Sequence, residues 1–227
     1  MLQMAGGAGM KAAVASDCSC QWQKSPEMTL CHVCHRYAKN GKEYTSVSRV
    51  IKDLVPADYS GVDPVVLEIA RLRGTYVDGY FSDWLRDPND VMTLPEVREM
   101  VIPQFPREGE KHAEDTINRI DMLIEWWIGK GWKATGVQKT VYSDIHRVAG
   151  TLDLRTDGLI ADVKCVSSLQ PNYALQLGAY STYDAASSIA IIHVTKDKVR
   201  LVEYDNQKCQ TQWLNGLVWW QTRQELK

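Results

Sequence analysis

"GTLDLRTDGLIADVKC", residues 150–165, reads as two short strands joined at Asp157-Gly158. A two-residue Asp-Gly connection between aliphatic runs is a strong hairpin signal. Folding the chain there sets residue 155 opposite 160, 154 opposite 161 and 153 opposite 162. Directly opposed side chains share a face, as do residues two apart on one strand. Asp153, Asp162 and Lys164 therefore meet on one side of the hairpin. Leu159, Ile160, Ala161, Val163 and Val166 mark the second strand as buried. Two opposed carboxylates in a partly buried sheet repel each other and lose hydration. Two arrangements relieve this. One is a divalent cation, since hard oxygen ligands suit Mg²⁺ or Mn²⁺. The other is a Lys164–Asp salt bridge, with the second acid at the wet end of the sheet.

Outward from the hairpin, the pattern predicts a strand in "KATGVQKTVYS" (133–143) and a helix from Pro171 to about Asp184. A second hairpin turns at Lys196-Asp197 between "SIAIIHVT" and "KVRLVEY", and a last helix covers about 206–225. Upstream, Asp63 and Pro64 are an N-cap and first-turn pair for a long helix with Val66, Ala70, Val77, Phe81 and Trp84 on its stripe. A helix over roughly 111–130 carries Ile117, Ile120, Ile124 and Trp127 on one face. Between them, the breaker-rich residues 86–110 read as a loop with one short helix, and "YTSVSRVI" (44–51) reads as a strand or as a helix opening at Ser46 or Ser48. The order of helices, strands, helix, two strands and helix predicts an α/β fold with a mixed sheet flanked by helices.

Gly150-x-x-Asp153, Asp162-x-Lys164 and Gln176-x-x-x-Tyr180 follow one another in order, preceded by "RLRGTYVD" (71–78) in the long helix. This set, from about Arg71 to Tyr204, resembles the PD-(D/E)XK nuclease superfamily, in particular its RecB-like branch of phage exonucleases and CRISPR-associated nucleases. The resemblance implies a restriction-endonuclease-like core and metal-dependent hydrolysis of phosphodiesters. It implies that Asp153 and Asp162, with the carbonyl of Val163, hold Mg²⁺ or Mn²⁺, that Lys164 orients or helps deprotonate the attacking water, and that Gln176 and Tyr180 serve the site. Asp78 would be a further metal ligand where the family often has His. Gln138 stands where the family often has Glu, and an amide is the poorer ligand. The family's frequent Pro before its first aspartate is absent. Gly74, one turn before Asp78, costs about 1 kcal/mol against alanine inside a helix, which asks for a packing or access reason. Tyr173 and Tyr183 share the Gln176–Tyr180 face and read as aromatic packing on the sheet.

Four of the six cysteines fall within the first 34 residues. Cys18, Cys20, Cys31 and Cys34 have the look of a four-thiolate Zn²⁺ site, with His32 or His35 as substitutes for one thiolate. Such clustering fits a reducing compartment better than a disulfide framework. Some relatives hold an iron–sulfur cluster, but there one cysteine precedes the core and three follow it. Residues 1–52 carry seven Lys and Arg against three acids, net +4, so in a chain of net −2 the remainder carries −6. A basic head on an acidic body suits phosphate contact or a solvated surface.

The expected organisation is a flexible leader (1–17), a small zinc-binding knot (18–43) and a nuclease domain (44–227). The expected activity is a Mg²⁺/Mn²⁺-dependent deoxyribonuclease, an exonuclease of phage-type recombination or replication. DNA and a single-strand annealing or other recombination protein are its expected partners. No apolar run is long enough for a membrane span, and a cytoplasmic location, in a bacterial host if phage-encoded, is expected. A structure- or sequence-specific endonuclease and a non-catalytic zinc-containing nucleic-acid-binding protein are the rivals.

Overall fold

A computed structural model describes residues 22–24, 28–31 and 36–226. The leader, Cys18, Cys20, Cys34, His32 and His35 lie outside the described residues. The elements run β1 (Trp22–Lys24), β2 (Thr29–Cys31), β3 (Arg36–Lys39), β4 (Lys42–Ser46), α1 (Val47–Leu54), α2 (Pro64–Arg86), α3 (Leu94–Val101), α4 (Gly109–Lys130), β5 (Gly136–Ser143), β6 (Val148–Arg155), β7 (Leu159–Lys164), α5 (Asn172–Tyr183), β8 (Ser188–Val194), β9 (Val199–Tyr204) and α6 (Asn206–Glu225).

Local chemistry sets most of these boundaries. Ser46 ends β4 and caps α1, its hydroxyl accepting from the Arg49 N–H at 3.1 Å. Both readings of "YTSVSRVI" thus hold, one for each half. Asp63 accepts from the Val65 N–H at 2.8 Å with Pro64 in the first turn of α2. Thr93 and Glu96 form a capping box on α3. Asp157-Gly158 closes a two-residue loop with the expected pairs, Arg155 opposite Ile160 and Leu154 opposite Ala161. Neither loop residue has a positive φ, so this is not the mirror-image turn such a dipeptide usually makes. The Thr156 hydroxyl accepts from the Leu159 N–H instead, at 3.3 Å.

The sheet is mixed. β5, β6 and β7 form an antiparallel meander, β7 and β8 are parallel across α5, and β8 and β9 form the second hairpin. β1 to β4 form a second meander that joins the main sheet where β4 runs parallel to β6 at Thr45–Val148 and Ser46–Ala149. β5 occupies one edge of β6 along its full length, so β4 and β7 share the other edge. β4 takes residues 148–149 and β7 takes 154–155. Residues 150–153 are left without a strand partner on that edge, and the candidate site sits in this gap.

Two apolar layers sandwich the sheet. On one face Leu154, Ala161, Val163 and Ile192 pack against α2, α3 and α4, with Phe81 stacked on Trp84 and set edge-on to Trp127. On the other face Leu152, Ile160, Ile189 and Ile191 pack against α1, α5 and α6 around Trp213 and Leu217. Ile120 and Trp127 are buried on α4 as the periodicity predicts, with Ile117 and Ile124 packed beside them. On α2 the expected stripe begins too early. Val66 and Ala70 are exposed, and Ile69 takes the buried place with Val65 and Leu72 packed beside it, so the buried stripe at the start of α2 is rotated from the expected one.

Gly178 lets α5 and α6 touch, since a Cβ there would collide with the Cys209 carbonyl. Gly178→Ala should therefore cost about 1–3 kcal/mol, read as a lowered denaturant midpoint. Gly74→Ala, whose Cβ meets nothing within 4 Å, should gain up to about 1 kcal/mol.

Candidate active site

Asp153 stands at the end of the unpaired stretch of β6. Its Oδ2 accepts from the Val163 N–H at 3.0 Å, so a side chain takes the place that a strand carbonyl would fill. β6 and β7 part at this point, and the expected pair of Asp153 and Asp162 is not a ladder pair. The face alternation of β6 also breaks here, with Leu152 in one apolar layer and Leu154 in the other. Gln138 on β5 lies opposite and has φ +49. A non-glycine residue held left-handed inside a strand is strained and marks a position that its surroundings over-determine.

The Gln138 side chain shows what holds it. Its Nε2 points at Asp153 Oδ1 (3.4 Å), Asp78 Oδ2 (3.4 Å) and Ser82 Oγ (3.2 Å). Two of these are carboxylate oxygens, which only accept when ionised, so the amide must present its NH₂ to them. Asp78 and Ser82 lie one turn apart on α2, which places them on the same side of the helix. Sequence reasoning treated Gln138 only as a poor ligand. The structure makes it the tie between β5, α2 and the two aspartates, and its one sequence signal was its place in the strand before Gly150-x-x-Asp153.

From the α5 side come Asp162 and Lys164. Asp162 is fully buried and makes a direct ion pair with Lys164. Of the two arrangements weighed for the acids, the Lys164–Asp162 bridge is present, but the second acid, Asp153, is buried and not at a wet end of the sheet. The Lys164 Nζ also lies 5.2 Å from the Tyr173 ring centroid, so Tyr173 belongs to the site and not only to the packing. Tyr183 does pack, accepting from Trp213 Nε1 at 2.9 Å. Gln176 donates to the Tyr180 hydroxyl at 3.0 Å, and the Tyr180 ring lies over Gly150. A Cβ at Gly150 would sit 2.8 Å from that ring and 3.2 Å from Val47. Glycine is therefore required by the close approach of Tyr180. Gly74 has no neighbour to make room for, so the packing reason for it falls away.

The chain beyond Lys164 is pinned from both sides. Arg200 Nε donates to His193 Nδ1 at 3.2 Å, so His193 Nε2 carries the proton and donates to the Val166 carbonyl at 2.8 Å. Arg119, paired with Asp115, reaches the Val194 carbonyl at 3.4 Å and the Cys165 thiol at 3.8 Å.

Electrostatics follow from three aspartates around one gap. Burial first, then the charge of Asp162, pushes Asp78 up to about 6, against the pull of Lys164, Arg86 and Gln138. Burial, then Asp162 and Asp78, raises Asp153 well above the usual carboxylate range. Burial works to lower Lys164, but Asp162 and Asp153 outweigh it and hold the ammonium above its ordinary value. Burial, with the same two aspartates, keeps Tyr180 a neutral phenol. Asp78 Oδ1 and Asp162 Oδ1 are buried with no hydrogen-bond donor. Buried acceptors without donors are costly. Among the described residues no three His, Cys, Asp or Glu side chains form a closed coordination set. The donor atoms present, hard oxygens facing one gap, nonetheless fit a Mg²⁺- or Mn²⁺-type ion.

No family model and no curated protein matches the chain. Among solved structures, a proposed exonuclease from Eubacterium rectale shares the fold at 19% identity and TM-score 0.51, over 77% of each chain. An alkaline exonuclease from Laribacter hongkongensis aligns at 12% identity and TM-score 0.39, over 81% of this chain and 90% of its own.

Without metal, the raised carboxylates give stability a defined pH dependence. Asp78 keeps its proton to about pH 6 when folded, against 3.8 for the ordinary value. The folded state binds more protons at Asp78 across this window, so the contribution of Asp78 to stability is fully present below about pH 4 and is lost as pH rises through about 6. In chelator-treated protein, Asp78→Asn should flatten that fall and raise the denaturant midpoint at pH 7. Parallel pH curves for the two proteins would count against the assignment.

Proposed function

We propose that the chain is a metal-dependent nuclease that hydrolyses phosphodiester bonds in DNA, with Asp78, Asp153, Asp162 and Lys164 as its centre. The observation that carries this reading is the convergence of three aspartates and one lysine on an unpaired gap in the sheet, with two buried carboxylate oxygens lacking donors. A site built for stability would leave neither those oxygens nor that repulsion in place.

Asp78 and Asp162 would hold Mg²⁺ or Mn²⁺, with Asp153 and the Val163 carbonyl completing the set. The bound ion would lower the pKa of its water and neutralise charge growing on the phosphate. The protein's own residues do the rest. Lys164, held as an ammonium, donates to the phosphate oxygens and stabilises their transition-state charge. That charge state makes it an electrostatic donor in preference to a proton acceptor. Gln138 fixes the facing oxygens of Asp78 and Asp153. Gln176 orients Tyr180, whose ring packs over Gly150 beside the gap.

Exonuclease action is the finer assignment. It draws support from the fold shared with a proposed exonuclease. Residues 18–43 are proposed as a structural zinc unit ahead of the catalytic unit 44–227. Cys31 is the cysteine of that set within the described residues, and it is buried in β2. Among the described residues no helix is long and apolar enough to cross a membrane.

Asp162→Asn and Asp153→Asn should each abolish Mg²⁺- or Mn²⁺-dependent degradation of linear DNA, with circular DNA resistant in wild type. Retained cleavage by folded Asp153→Asn protein would sink the proposal. Lys164→Ala is a poorer probe, because stranding buried Asp162 costs about 3–5 kcal/mol. Lys164→Gln keeps the length and a donor, and should lose cleavage at a smaller cost in stability. Elemental analysis of protein purified without added metal should give one zinc per chain, and iron in its place would refute the zinc unit.

A further inference from the structure

The cleft that exposes Lys164 and Tyr173 is walled on its far side by α1, with Lys52 on its rim. A second groove, between α1 and the end of α6, is lined by Arg49, Lys52, Asp53, Trp220 and Arg223. Lys52 lines both, so the two grooves adjoin at this one side chain of α1. We infer that the α1–α6 groove is a track for single-stranded DNA running to the carboxylate site, an inference that rests on the nuclease reading.

Charge is the first argument. The groove carries three cations against one acid in a chain whose residues after 52 are net −6. The acid is occupied as well, since Asp53 accepts from Trp220 Nε1 at 2.9 Å and faces Arg49 at 3.9 Å. Phosphates in the groove would meet Arg223, Arg49 and Lys52, and Lys52 also borders the cleft that exposes Lys164. Such a row also answers a problem of the site. Three carboxylates repel a polyanion, and a cationic approach offsets that repulsion.

Aromatic surface is the second argument. Trp219 is 54% exposed, and the Arg223 guanidinium lies 5.4 Å from its ring centroid. Neighbouring Trp220 lines the groove itself. Basic grooves edged by indoles are how proteins hold single strands, the charges tracking phosphates and the rings stacking on bases. A duplex keeps its bases inside and has no use for the rings.

The test compares wild type, the double variant Arg49→Gln/Arg223→Gln, and a charge-matched control, Arg98→Gln/Lys111→Gln. The control residues are likewise exposed and lie on α3 and α4. Binding of single-stranded oligonucleotides of about 2 to about 16 nucleotides is followed by anisotropy with Ca²⁺ in place of Mg²⁺. Dinucleotide cleavage is measured separately with Mg²⁺. Wild-type affinity should rise with length until the strand spans the groove. The double variant should lose about tenfold on the longest oligonucleotide and show a salt slope shallower by about 1.4, two phosphate contacts at about 0.7 each. Its dinucleotide cleavage should stay at the wild-type rate, and the control should match wild type throughout. A double variant that binds long strands with wild-type affinity and slope overturns the track and leaves the nuclease reading standing. Wild type that cleaves nothing, beside a double variant that binds weakly, overturns the nuclease reading and leaves the track. An equal loss on a blunt duplex overturns the single-strand assignment.

Discussion

The hydrogen bond from the Val163 N–H to the Asp153 carboxylate is the contact on which the arrangement turns. A regular β6–β7 ladder would pair that N–H with a backbone carbonyl and close the sheet over the site. Given to a side chain, the bond holds the strands apart by about the reach of an aspartate, while the buried N–H stays satisfied. The gap so opened is what allows Asp162 and Lys164 from one strand to face Asp153 and Asp78 from elsewhere. Keeping the sheet coherent around such a gap then falls to its neighbours. β5 pairs along the other edge of β6 on both sides of Gln138, and β8 along the far side of β7.

Two motifs that are separate in the sequence are one device in space. Gly150 has no side chain because Tyr180 occupies the volume, and Tyr180 is oriented by Gln176 one turn before it. The ring covers the face of β6 at Gly150, within the stretch that neither β4 nor β7 pairs. The glycine–aspartate and glutamine–tyrosine pairs are thus best understood as plug and socket, with the aspartate's position as the product. The same logic explains the ends of β7. His193 holds the Val166 carbonyl and Arg119 reaches the Cys165 thiol, so the chain that carries the ammonium is tied just past Lys164.

What could be read from the sequence was whatever is encoded locally. The Asp157-Gly158 turn, the register of 155 with 160 and 154 with 161, the Asp63 cap and the Lys196-Asp197 hairpin all depend on residues within a few positions of one another. Hidden features depend on distant partners. The parallel pairing of β4 with β6 joins segments about a hundred residues apart, and no turn residue announces it. β2 and β3 are too short, at three and four residues, for alternation to register. The left-handed Gln138 could not be foreseen, because glutamine has no preference for that conformation. Only its ring of acceptors on β6 and α2 explains why it stays there.

Gln138 also decides the electrostatic character of the site. A carboxylate at that position would place a fourth negative charge against Asp78, Asp153 and Asp162, in a pocket where burial already raises two of them. An amide reverses the sign of the contact, since it brings hydrogen-bond donors to two of those acids and lowers their mutual cost. The strain of a left-handed strand residue, about 1–3 kcal/mol, is then offset by two charge-assisted contacts and by the Ser82 hydroxyl. Asp78 Oδ2 and Asp153 Oδ1 are drawn toward the amide and away from the gap. The oxygens left facing the gap without donors are Asp78 Oδ1 and Asp162 Oδ1. By taking one oxygen from each of two aspartates, the amide narrows the set of carboxylate oxygens left at the gap.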